Sequence, residues 1–231
     1  MLFNLQKKTK VKYFIVDDEQ NKWHNALYQP VEPAVKNLVG CPAMSSVTNR
    51  IFNVKPTITM DVTFGHDGKE PYFNYQFDTK EFEDTSYNYQ SIEAMVGTSV
   101  HSNVTTLQYS LSIAFYSDDK DLEIMLVGKD GENCTFAAGA FNIHSWIRQL
   151  NASWYLNDNN KEAKVSIDYD SPIMQIVFNK PVELEEVPYE GKAAEYHKHM
   201  KYINNYKKNI VKIYDNIKRK RVKKFIWKNI K

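Results

Sequence analysis

Residues 105–116 constrain this chain most. Leu107, Tyr109, Leu111, Ile113 and Phe115 alternate there with Gln108, Ser110, Ser112 and Ala114. A period of two places one set on each face of an extended strand. A helix, whose faces recur about every 3.6 residues, cannot segregate them. The length of the run suits a central strand. Residues 57–64 repeat the pattern, with Ile58, Met60, Val62 and Phe64 set against Thr57, Thr59, Asp61 and Thr63. The stretch 65–71, GHDGKEP, is turn chemistry. Phe73, Tyr75 and Phe77 then share a face over 72–78, so the two runs predict a β-hairpin with a longer loop.

Shorter runs flank these. Residues 11–16 and 122–127 read as strands. KDGEN at 129–133 carries Asp130–Gly131, a strong hairpin signal. Residues 138–156 contain two of the four tryptophans. They predict a strand end, a turn onto Trp146 and Arg148, and a new strand through Leu150, Ala152, Trp154 and Leu156, in the middle of a β-rich core. After a turn at 157–162, Val165, Ile167 and Tyr169 predict another strand, and a turn follows at 170–172. Residues 173–178 are almost continuously apolar, as in a strand covered on both faces. The span 79–104 is the least regular of this region and has room for one hidden strand.

The N-terminal part reads differently. Pro33 suits the first turn of a short helix. GCPA at 40–43 is a break, Ser45 and Ser46 are N-cap residues for a second short helix through Val47, Ile51 and Phe52, and Pro56 ends it. Residues 179–191 are expected to leave the sheet through Pro181, Pro188 and Gly191. With about eight or nine strands and no long helical pattern between them, the fold expected is mainly β, an antiparallel β-sandwich or jelly roll. The divisions are 1–56, irregular with short helices; 57–180, the β core, which the strand at 11–16 can join; and 192–231, a basic helical tail.

The tail is set apart by charge. Residues 192–231 hold 14 Lys and Arg against Glu195 and Asp215, a balance of +12. The preceding 191 residues balance at −10, so a formal net charge of +2 conceals two electrostatically different parts. Met200, Ile203, Tyr206, Ile210, Ile213 and Ile217 form a helical apolar stripe. It breaks at Lys218-Arg219-Lys220-Arg221 and resumes in shifted register at Val222, Phe225 and Ile226, as one slipped helix or two. Lys207, Lys208, Lys218, Arg219, Lys220, Arg221, Lys223, Lys224 and Trp227 are the candidate partner-binding residues. They suit phosphate backbones, an anionic membrane surface or an acidic protein patch. The stripe can equally pack on the β core, or join copies into a homo-oligomer, with the lysines solvated. Arginine, the usual guanine reader, numbers only four, so any nucleic-acid binding is expected to be nonspecific.

Other chemistry is sparse. Cys41 and Cys134 cannot build a disulfide framework or a four-sulfur zinc site, and read as buried thiols. Asn103, Asn133 and Asn151 begin glycosylation-type triplets, read as chance matches without a secretory leader. His66 and Asp67 are adjacent in a turn and would point apart, His197 and His199 lie in the tail, and His101 and His144 stand alone. Acidic clusters at 17–19, 81–84, 118–121 and 183–186 read as solvated turns. Nucleophile elbow, P-loop and dinucleotide motifs are missing. No catalytic residue, metal or cofactor is expected. Trp146, Arg148 and Trp154 can line a ligand groove or belong to the core, and their alternating neighbours favour the core. No apolar run reaches the length of about 18 residues that a membrane span needs, so no transmembrane segment is expected.

Several segments resemble an uncharacterised protein family of marine T4-like phages, mainly cyanophages. They are Cys41-Pro42-Ala43 followed by residues 49–55, GAFNIHSWIR at 139–148 with the strand after it, and SPIMQIVF at 171–178. Members of that family often carry a glycine before the tryptophan and a proline after the arginine, where this chain has His144-Ser145 and Gln149. The resemblance runs from about residue 30 onward and includes the basic tail. It implies a viral origin, in keeping with 26 lysines and abundant Asn, Tyr and Ile, residues of AT-rich codons. It transfers no catalytic residue. The function expected is a noncatalytic phage structural or interaction protein, located in the virion or host cytoplasm, whose partners are other phage proteins or a host protein. The alternative is a jelly-roll enzyme or small-ligand binder.

Overall fold

The alternating runs are realised as strands. The protein is seen in a computed structural model that describes residues 8–16, 31–34, 47, 49–56, 58–68, 70–77, 96–101, 104–144, 147, 149–191, 194 and 195. The chain divides into two units, Met1–Tyr189 and Glu190–Lys231. The first contains the strands β1 (Thr9–Ile15), β2 (Glu32–Pro33), β3 (Ile51–Val54), β4 (Met60–His66) and β5 (Pro71–Phe77). Then come β6 (Val96–His101), β7 (Val104–Tyr116), β8 (Glu123–Gly128), β9 (Cys134–Phe136) and β10 (Gly139–Asn142). The last are β11 (Gln149–Leu156), β12 (Glu162–Ile167), β13 (Met174–Phe178) and β14 (Val182–Glu186). The strands form three sheets, in the orders β14-β1-β7-β11-β9 with β6 also on β7, β10-β8-β13-β3-β2, and β12-β4-β5. Pairing is antiparallel except between β1 and β14.

β7 is central, as its length predicts. One edge pairs with β11, and the other is shared by β6 and β1. Its Leu107, Tyr109, Leu111, Ile113 and Phe115 join one hydrophobic core with Met60, Val62 and Phe64 of β4, Trp154 of β11 and Ile176 of β13. Phe115 of the first sheet meets Phe178 of the second edge-on at 6.4 Å, so these two sheets face each other through an aromatic contact, and Phe178 meets Phe52 of its own sheet edge-on at 5.7 Å. The protein is therefore mainly β, built from several antiparallel sheets, an arrangement consistent with a β-sandwich.

Several expectations are corrected. Pro33 does not start a helix but lies in β2, paired with Phe52. Val47 is helical, but Ile51 and Phe52 are not: Phe52 and Val54 alternate into the core, and their β-branched and aromatic neighbours favour that geometry. Asp130–Gly131 does not make a hairpin of β8 and β9, which belong to different sheets. Gly131 bridges Cys134 across a tight turn instead, and Asn133 takes the positive φ of 60°. Residues 138–156 likewise cross between sheets, since β10 pairs with β8 and β11 with β7. Tyr169 lies beyond β12 and is exposed. β13 alternates, with Gln175 and Val177 only half-buried. Residues 182–186 do not leave the sheet: they form β14, with Pro181 just outside it, as an edge allows. The hidden strand within 79–104 is β6. The break at 40–43 and Ser45 and Ser46 lie outside the described residues.

Candidate functional site

One cleft stands out, along the outer edge of β12. Glu162, Lys164 and Ser166 of β12 face outward while Ala163, Val165 and Ile167 enter the core. β4 covers one edge of the strand. On the other edge Glu132 and Lys164 exchange both backbone hydrogen bonds, at 2.8 and 3.0 Å. That ladder stops after a single bridge, because residues 129–131 are held toward the first sheet instead. The Gly131 amide donates to the Cys134 carbonyl at 3.1 Å. The Phe136 amide donates to Asp130 Oδ1 at 2.7 Å, and Trp154 Nε1 donates to the Lys129 carbonyl at 2.9 Å. Where the two segments part, a cleft of about 440 Å³ opens, with Val165, Ile167 and Ile173 among its apolar lining.

Several polar groups of this cleft serve the fold. Asp168 Oδ1 accepts from the Asp170 amide and Oδ2 from the Ser171 hydroxyl, each at 3.0 Å, which shapes the turn after β12. Lys164 Nζ lies 2.8 Å from Asp61 Oδ2. The hydrogen bond from Lys164, and then that from Ser166, hold the Asp61 carboxyl below its ordinary pKa. What the arrangement offers a ligand is a strand edge, an apolar floor and exposed acidic side chains at Asp130, Glu132 and Asp168.

Of the residues singled out in sequence, Trp154 is 2 % exposed and packs edge-on against Phe136 at 5.6 Å, so it is a core residue whose edge borders the cleft. Trp146 and Arg148 lie outside the described residues, as do Lys207, Lys208, Lys218, Arg219, Lys220, Arg221, Lys223, Lys224 and Trp227. Cys134 is buried, and burial pushes its thiol pKa up. His66 Nδ1 accepts from the Gly68 amide at 2.8 Å, so it shapes the β4–β5 turn. His144 Nδ1 lies 3.0 Å from the Ser117 carbonyl and donates to it. The acidic residues at 183–186 sit on β14 rather than in a turn. Among the described residues, no group of three or more His, Cys, Asp or Glu is placed to hold a metal ion. No helix among them is long and apolar enough to cross a membrane. Ser166 and Glu132 were not singled out in sequence. Alternation reveals a strand but not which of its edges is left unpaired.

No family model, curated protein or solved structure matches this chain.

Proposed function

We propose that this chain is a noncatalytic phage structural or interaction protein: a β-sandwich scaffold of jelly-roll type that presents residues 192–231 as a basic helical arm. The observation that carries the reading is the charge division. The arm holds 14 Lys and Arg against two acids, while the rest of the chain holds 26 acids against 16 bases. A segment of that charge attracts an acidic protein surface or a phosphate backbone by long-range electrostatics. The scaffold is filled by one continuous apolar core, and the Asp130 and Asp168 carboxylates at its cleft hold local turns, which favours a binding role over chemistry. The partners are other phage proteins or a host protein, with self-association through the arm and nonspecific nucleic-acid binding as lesser modes. Its location is the virion or the host cytoplasm.

Mass spectrometry of purified particles, with infected-cell lysate as control, tests the virion assignment. Recovery at fixed stoichiometry with particles is expected of a structural component. Abundance in lysate with absence from particles would remove that assignment.

A further inference from the structure

On the reading of this chain as an interaction protein, we propose that the outer edge of β12 is a docking slot for an extended, lysine- or arginine-bearing segment of a partner protein, which adds to the sheet as a strand. Backbone groups two residues apart on a strand point to the same edge. Lys164 spends its amide and carbonyl on Glu132, so those of Ser166 face the same way, into the cleft. Among the described residues nothing pairs with them. Ser166 is exposed, and its side chain is turned to Asp61. A sheet edge with a free amide and carbonyl is the template that strand addition uses. The Glu132–Lys164 bridge already sets an antiparallel register at one end of the slot, and the Asp168–Ser171 turn closes the other.

Charge selects the occupant. Asp130, Glu132 and Asp168 are exposed at the rim, and of the two lysines there Lys164 is committed to Asp61. An incoming strand bearing cations on one face matches that rim, while its alternate apolar residues meet Val165 and Ile173. An acidic strand meets like charge.

The test uses the full chain and a fluorescein-labelled octapeptide of alternating Lys and Val, read by fluorescence anisotropy. Saturable binding is expected, with a shift of the Ser166 amide signal in the nitrogen-15 NMR spectrum. N-methylation of alternate peptide amides should weaken binding about tenfold, as the loss of strand hydrogen bonds requires. Ser166→Pro, which removes the edge amide, should cost about tenfold, and its thermal midpoint confirms folding. Three results would overturn the proposal: no binding, equal binding of the N-methylated peptide, or equal binding of a Glu/Val octapeptide. The probe is a defined peptide and the readout lies on β12. Failure here removes the slot and leaves partner binding by residues 192–231 to its own test.

Discussion

Gly128 shows how tightly single positions are held. A Cβ added there would run into the Phe136 ring, which is itself fixed against Trp154. Gly128→Ala should therefore destabilise the protein by about 1–3 kcal/mol through overpacking, measured by urea unfolding. Cys134 gives a second test at this scale. Its buried thiol, with a raised pKa, should resist iodoacetamide in the folded protein and react on unfolding, as mapped by peptide mass spectrometry. Rapid labelling of the native protein would contradict that burial. Asp119 gives a third. The hydrogen bond from Lys180 at 2.7 Å, followed by that from the Asp121 amide at 3.0 Å, holds its carboxyl below the ordinary value. A depressed folded pKa contributes stability that is fully present above the unfolded value of about 3.9 and is lost as pH falls through the folded one. The difference in Tm between the wild type and Asp119→Asn should accordingly shrink as pH drops below about 4. A difference constant with pH would count against the pairing.

At the scale of elements, legibility followed periodicity. β4, β7 and β11 were readable because apolar residues alternate over many positions and one face is buried, and β5 because its half-buried Phe73 and Tyr75 share a face against that core. β3 and β14 were not. Residues 51–54, soon after a serine pair, fit a helix start as well as a strand, and the pairing of Phe52 with Ile176 and Pro33 decides for β3. The prolines at 181 and 188 suggested a linker, yet Val182 and Leu184 lie between them and pair with β1 in parallel. Such a pairing joins residues far apart in sequence and leaves no local turn signal. If β14 completes the first sheet, a chain ending at residue 191 should keep its far-ultraviolet circular dichroism and cooperative melting. One ending at residue 180 exposes β1 and should aggregate or unfold. Equal behaviour of the two truncations would contradict the role given to β14.

For the whole molecule, the facing sheets are the unit of stability. Phe115→Ala and Phe178→Ala should each cost about 3–5 kcal/mol. Because the rings touch, the double variant should depart from additivity by about 0.5–3 kcal/mol. The cleft was invisible in sequence for a related reason. It arises where residues 129–131 turn to Phe136 and Trp154 while β12 stays with β4, a divergence of two segments that no local pattern records. Charge, by contrast, is legible at any distance from the fold, and the +12 segment at 192–231 carries the functional reading. The most direct test of that reading is affinity capture from infected-cell lysate with the full chain and with residues 1–191, quantified by mass spectrometry across a salt series. The account predicts partners held at stoichiometric level by the full chain, weakened by salt and lost when residues 192–231 are removed. Capture of the same partners by both chains, with the same salt dependence, would contradict it.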